Sequence, residues 1–174
     1  AKVATRVALA RAAALAPGDP MVLALEAGER QDRGDVLGAL ELLDRAAAAA
    51  TDSTPVLWRG TLLLQAGYVD EATRAFEQAK RRDPLSGVNN GYLALARLSA
   101  GRYAEAEALA REAQRQGWSP ALNIVVFDMA ARGERERAAA LGDSFGPPAS
   151  SPEAIRRGAA IRDLLLHPAK ISRS

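Results

Sequence analysis

The segment running from Gly67 to Trp118 states one pattern twice, and that recurrence constrains the fold more than any other feature of the chain. GYVDEATRAFEQAKRRDP begins at Gly67 and GRYAEAEALAREAQRQGW at Gly101, so Gly67, Glu71, Ala72 and Ala79 return 34 residues later as Gly101, Glu105, Ala106 and Ala113. In the first copy Ala72, Phe76 and Ala79 stand four and three residues apart, which puts them on one face of a helix. Gly67 separates this helix from one predicted over residues 56–65, at a reversal that calls for a residue tolerant of positive φ. Asp83-Pro84 ends the second helix, because proline disfavours a helical residue before it and cannot continue the hydrogen-bond ladder. One helix pair cannot bury such a face alone, so successive pairs must stack.

Residues and spacing together resemble the tetratricopeptide repeat (TPR) family, whose period is ~34 residues. In that family a loop glycine is followed by a small residue, an aromatic, a second alanine and a terminal Asp-Pro, here Gly67, Ala72, Phe76, Ala79 and Pro84. The second copy keeps Gly101, Ala106 and Ala113 but has Ala110 in the place of the aromatic and Trp118 in that of the proline, with Pro120 following. Arg59, Arg97, Glu26 and Arg30 stand in first helices where the family carries leucine or an aromatic. The resemblance implies an all-α fold, a TPR-like α-solenoid that forms a right-handed superhelix of helix-turn-helix repeats. It also implies a non-catalytic scaffold that holds a protein or peptide segment in a concave groove lined by the first helix of each unit.

Taken in order, the chain is expected to form a single domain over residues 1–166. A lone opening helix (1–17) precedes repeats at 20–51, 54–84, 87–118 and 120–146, followed by a capping helix (150–166) and a tail (167–174). Gly34, Gly67, Gly101 and Gly133 serve as loop glycines, and Ala39, Leu43 and Ala46 form the inner face of the helix after Gly34. Leu9, Ala12 and Pro17 are placed like Phe76, Ala79 and Pro84, so the opening helix reads as the second helix of a unit without its partner. The expectation is either a piece of a longer array or an array with an unpaired first helix, whose free apolar face would suit homo-oligomerisation.

Composition narrows the chemistry. Lys and Arg number 23 against 21 Asp and Glu, interspersed, for a net charge of +2, which lacks the clustered basic face that nucleic acid requires. Cysteine is absent and His167 is the one histidine, set before a proline, so neither a metal site nor a Ser-His-Asp arrangement is expected, and no cofactor. Gly28, Gly34 and Gly38 are spread along helical segments and form no phosphate loop. Glu105 with Glu107, and Glu134 with Glu136, lie two apart on helices and share no face, so they read as solvated charges offset by Arg102, Arg111, Arg135 and Arg137. No apolar run approaches the ~20 residues that cross a bilayer. The compartment stays open, with cytoplasm favoured over periplasm.

Candidate partner-binding residues follow from the groove that the resemblance implies. Corresponding places in the first helices hold Leu25, Trp58, Tyr92 and Ile124, and one turn further Gly28, Thr61, Leu95 and Phe127, with Asn89, Asn90 and Asn123 nearby. The set put forward is Trp58, Thr61, Asn89, Tyr92, Leu95, Arg97, Asn123 and Phe127. Trp58 and Tyr92 could equally pack between helices. Arg59 and Arg97 are either structural, with Glu26 pairing Arg30 and reaching Arg59, or carboxylate and phosphate ligands. The Lys/Asn carboxylate clamp of chaperone-binding TPR domains is not found. Arg82-Asp83-Pro84-Leu85-Ser86 followed by GRYAEA also looks like arrays attached to bacterial winged-helix regulators and adenylate-cyclase-like signalling proteins. That likeness implies an alternative role as a sensor or regulatory domain for a small ligand.

Overall fold

The computed structural model describes residues 2–143 together with 159, 160, 162, 163 and 166, with side chains from Val7 onward. Among these residues are helices α1 (Lys2–Leu15), α2 (Pro20–Asp32), α3 (Val36–Ala49), α4 (Thr54–Gln65), α5 (Val69–Arg82), α6 (Gly87–Ser99), α7 (Tyr103–Arg115), α8 (Pro120–Ala131) and α9 (Arg135–Asp143), and no strand. Most of the expected capping helix, the tail and His167 lie outside the described residues.

Local chemistry sets the boundaries. The Asp19 carboxylate accepts from the backbone N–H groups of Met21 and Val22 at 2.9 and 3.0 Å and opens α2, while Asp35 and Ser86 cap α3 and α6. Pro20, Pro55 and Pro120 occupy first turns, where a missing N–H costs nothing. The four expected loop glycines all take positive φ, from 73° to 90°. At Gly67 the chain closes with its N–H on the Leu64 carbonyl and that of Tyr68 on the Leu63 carbonyl, the paired bonds of a Schellman turn. Gly117 does the same after α7, at φ 88°, so this second helix ends on a glycine where α5 ends on Asp83-Pro84.

Helices pack in antiparallel succession, α2 on α3, α4 on α5, α6 on α7 and α8 on α9, and each pair docks on the next. The first helices also touch one another from α2 through α4 and α6 to α8, which draws that side together and makes it the inner face. The face predicted for α5 is fully buried at Ala72, Phe76 and Ala79, and Ala39, Leu43 and Ala46 of α3 are buried as well. Phe76 fills the seam because Gly60 leaves room for it: a Cβ on Gly60 would stand 2.6 Å from the Phe76 ring. In the next pair Ala110 replaces the aromatic, and the volume comes from Leu122, Val125 and Met129 of α8 in one cluster with Ala94 and Ala106. Trp118 packs against that cluster, so the departure from the pattern is compensated by the following unit.

Candidate binding groove

On the inner face a cleft of about 280 Å³ runs across α2, α4 and α6. Its floor is Ala24, Leu43, Leu57 and Leu62, and its walls are Gly28, Gln31, Trp58, Thr61, Gln65, Val88 and Tyr92. Trp58, Thr61 and Tyr92 of the predicted set therefore meet in one place. Trp58 is 36% exposed, and the row continues with Leu25 at 43%, Ile124 at 46% and Phe127 at 51%. Each stands next in sequence to a buried residue, so the helices bury one face, at Ala24, Leu57, Val125 and Val126, and still display large apolar groups on another. Asn123 is exposed beside Ile124, and Leu95 is half-buried against the α7–α8 core.

Tyr92 is held by its neighbours. Its ring lies 5.6 Å from that of Phe76 on one side and 5.6 Å from that of Trp118 on the other, a tilted aromatic ladder linking the core, the groove wall and the α7–α8 loop. Tyr92 therefore packs between helices and also lines the cleft.

Asn89 does not reach the groove. It is buried, and its amide donates to the carbonyls of Ala79 and Asp83 at 3.2 Å each, closing the end of α5 onto α6. The Asn90 amide, equally buried, donates to Pro84 and Gln116. A step of one residue along α6 turns a side chain by ~100°, which separates Asn89 from the wall residue Val88.

Arg97 lies in a seam as well: it bonds Glu77 of α5 at 2.5 Å and stands 3.3 Å from Glu105 of α7. Arg59 pairs with Asp44 and Arg30 with Asp35, the latter at 3.3 Å, which corrects the expected Glu26–Arg30 and Glu26–Arg59 contacts. The partners come from the neighbouring second helix or the adjoining loop and not from the preceding first helix. Arg102, Arg111 and Arg137 offset Glu105, Glu107 and Glu134 as expected. At the far end Arg132 lies 3.7 Å above the Tyr103 ring. Desolvation opposes its charge, but the Asp128 hydrogen bond and the charges of Asp128 and Glu134 outweigh that and hold its pKa above the usual value.

Val88, Gln31 and Gln65 were not anticipated in the groove. Val88 precedes Tyr92 by four residues, so the i, i+4 rule alone places it on the same wall. Gln31 donates to Gln65 at 2.8 Å across the mouth of the cleft, a pairing between units at a separation of 34 residues, so the repeat period already sets the two in register. Among the described residues no group of His, Cys, Asp and Glu could hold a metal ion, and no helix is long and apolar enough to cross a membrane.

No protein-family model matches the chain, and no curated protein matches its sequence. Solved structures do match its fold. The chain is similar to MamA with a TM-score of 0.63 at 16% identity, over 76% of this chain and 80% of that one. It is similar to a thermophilic TPR protein of Thermus thermophilus, TTC0263, with a TM-score of 0.61 at 19% identity, over 85% of this chain and 83% of that one. The fold is a TPR-like α-solenoid.

Proposed function

We propose that this TPR-like solenoid is a non-catalytic scaffold that seats a segment of another protein against its inner face. The reading is carried by the row of large apolar side chains left open along the first helices, Leu25, Trp58, Ile124 and Phe127. Aromatic groups displayed on one concave face mark interaction surfaces, and tryptophan is among the residues that most often dominate binding energy. The working surface is Trp58, Thr61, Tyr92, Leu95, Asn123 and Phe127, with Val88, Gln31 and Gln65 added, while Asn89 and Arg97 hold the stack together. A small-ligand sensor would need an enclosed cavity with converging polar groups. The cleft has exposed walls at Gly28, Gln31, Trp58 and Gln65, which favours a macromolecular guest.

A photo-crosslinking residue placed at Thr61, on the inner face, and in a second variant at Gln78, exposed on α5, tests this in the source cells. Protein adducts formed from Thr61 and lost on Trp58→Ala are expected. Adducts from Gln78 alone would sink the reading. Self-association through α1 is a second reading, supported by the exposure of Val7 and Leu15 on that helix. Sedimentation velocity of the chain beside a Val7→Asp variant decides it, since a dimer should dissociate in the variant.

A further inference from the structure

We infer that the guest of this groove is an amphipathic α-helix presenting an uncharged apolar stripe, and not an extended peptide or a chain end read through its carboxylate. The inference rests on the scaffold reading and specifies the chemistry of its partner.

Charge is the first argument. Among the described residues, no acidic or basic side chain lines the cleft. The arginines within the inner helices or at their C-caps are committed elsewhere: Arg30 to Asp35, Arg33 to Glu29, Arg59 to Asp44, Arg97 to Glu77 and Glu105, and Arg132 to Asp128 and Glu134. A carboxylate or phosphate entering the cleft would give up its hydration with no guanidinium to receive it, which is costly. The complementary surface is uncharged.

Backbone satisfaction is the second. An extended guest brings an unpaired N–H and C=O at each residue, and burying one unmatched costs ~1–3 kcal/mol. Grooves that accept extended chains must supply a ladder of side-chain amides. Here the Thr61 hydroxyl donates to the Leu57 carbonyl at 2.9 Å, and the Gln31–Gln65 bond leaves over only the Gln31 oxygen and the Gln65 amide at one edge of the cleft, too few groups for a ladder. The Asn89 amide is spent within the stack. A helix arrives with its backbone already paired and asks only for apolar contact.

Spacing is the third. Packed helices lie ~8–10 Å apart. Seven residues of guest helix rise about 10 Å, so residues two turns apart on its stripe match Trp58 and the Tyr92 wall in the cleft, with Leu25 and Ile124 exposed at the corresponding places of α2 and α8 beyond it.

Selection of random peptides of about 18 residues, five helical turns, on the immobilised chain and on its Trp58→Asp and Phe127→Asp variants tests the inference. Both positions are exposed, and unchanged helical circular dichroism and melting of the variants establishes that they fold. Peptides enriched on the unaltered chain should carry apolar residues at i, i+3 or i+4, and i+7, and need no free C-terminus. Their affinity should fall about tenfold on either variant and change by less than about twofold between low and high salt. Winners that depend on Trp58 yet alternate with a period of two, contain proline, or require an acidic end overturn the helix inference and leave the scaffold standing. Winners indifferent to both variants overturn both.

Discussion

Replacing Gly91 by alanine should destabilise the fold, although alanine is the better helix former. Gly91 lies inside α6, where the intrinsic gain of Gly→Ala is about 1 kcal/mol. A Cβ at that position would stand 1.9 and 2.1 Å from two atoms of the Trp118 ring, far inside van der Waals contact. The ring cannot be compressed, so it must leave its seat. Leaving forfeits the stacking on Tyr92, about 0.5–1.5 kcal/mol, and the burial of part of a large side chain. If ~80–100 Å² of that apolar surface returns to water, the further loss is about 2–2.5 kcal/mol. Set against the helix gain, the net cost is about 1.5–3 kcal/mol. Urea unfolding of Gly91→Ala measures it, and in a Trp58→Phe background the emission of Trp118 alone should shift to the red as the ring becomes wet. The sign should reverse when the ring is absent: added to Trp118→Ala, the same Gly91→Ala change should stabilise by up to about 1 kcal/mol. Gly91→Ala matching the unaltered chain, or costing as much without Trp118, would refute the reasoning.

Three other perturbations bear on how the units are joined. Arg82 donates to the carbonyls of Ala47, at the end of α3, and Asp52 in the next loop, at 3.1 and 2.8 Å, so Arg82→Lys, whose compact ammonium lacks the fork, should cost about 1–2 kcal/mol by chemical denaturation. It should also speed hydrogen exchange at the α3–α4 junction. Asn89→Asp turns a buried two-carbonyl donor into a carboxylate facing those carbonyls, and a loss of about 2–4 kcal/mol that lessens as acid protonates the new group is expected in urea titrations across pH. Arg97→Met leaves Glu77 and Glu105 free to turn to solvent, so about 1 kcal/mol or less should be lost, and the difference from the unaltered chain should shrink in high salt.

These outcomes separate what is local from what is assembled. The repeat period, the positive-φ glycines, the proline and Asp-Pro boundaries and the buried faces at Ala72, Phe76 and Ala79 are legible in the sequence. Each depends on backbone preference or helical periodicity within some twenty residues, and the repeat states them more than once. The row Leu25, Trp58, Tyr92 and Ile124 was legible for the same reason, since homologous positions in stacked units fall in line along the array.

Tertiary structure alone decided which side chains meet across units. Asn89 turns into the α5–α6 seam while Val88, one residue before it, lines the groove. Arg59 finds Asp44, Arg82 reaches back to the Ala47 carbonyl of α3 and the Asp52 carbonyl of the next loop, and Trp118 lies on Gly91 and packs against the cluster in which α8 makes up the volume that Ala110 lacks. The sequence by itself determines that helices of this period must stack; it does not encode the rotation between one pair and the next. That rotation is settled by the volumes packed between pairs, and it alone selects the residue that each charge, amide or ring will touch.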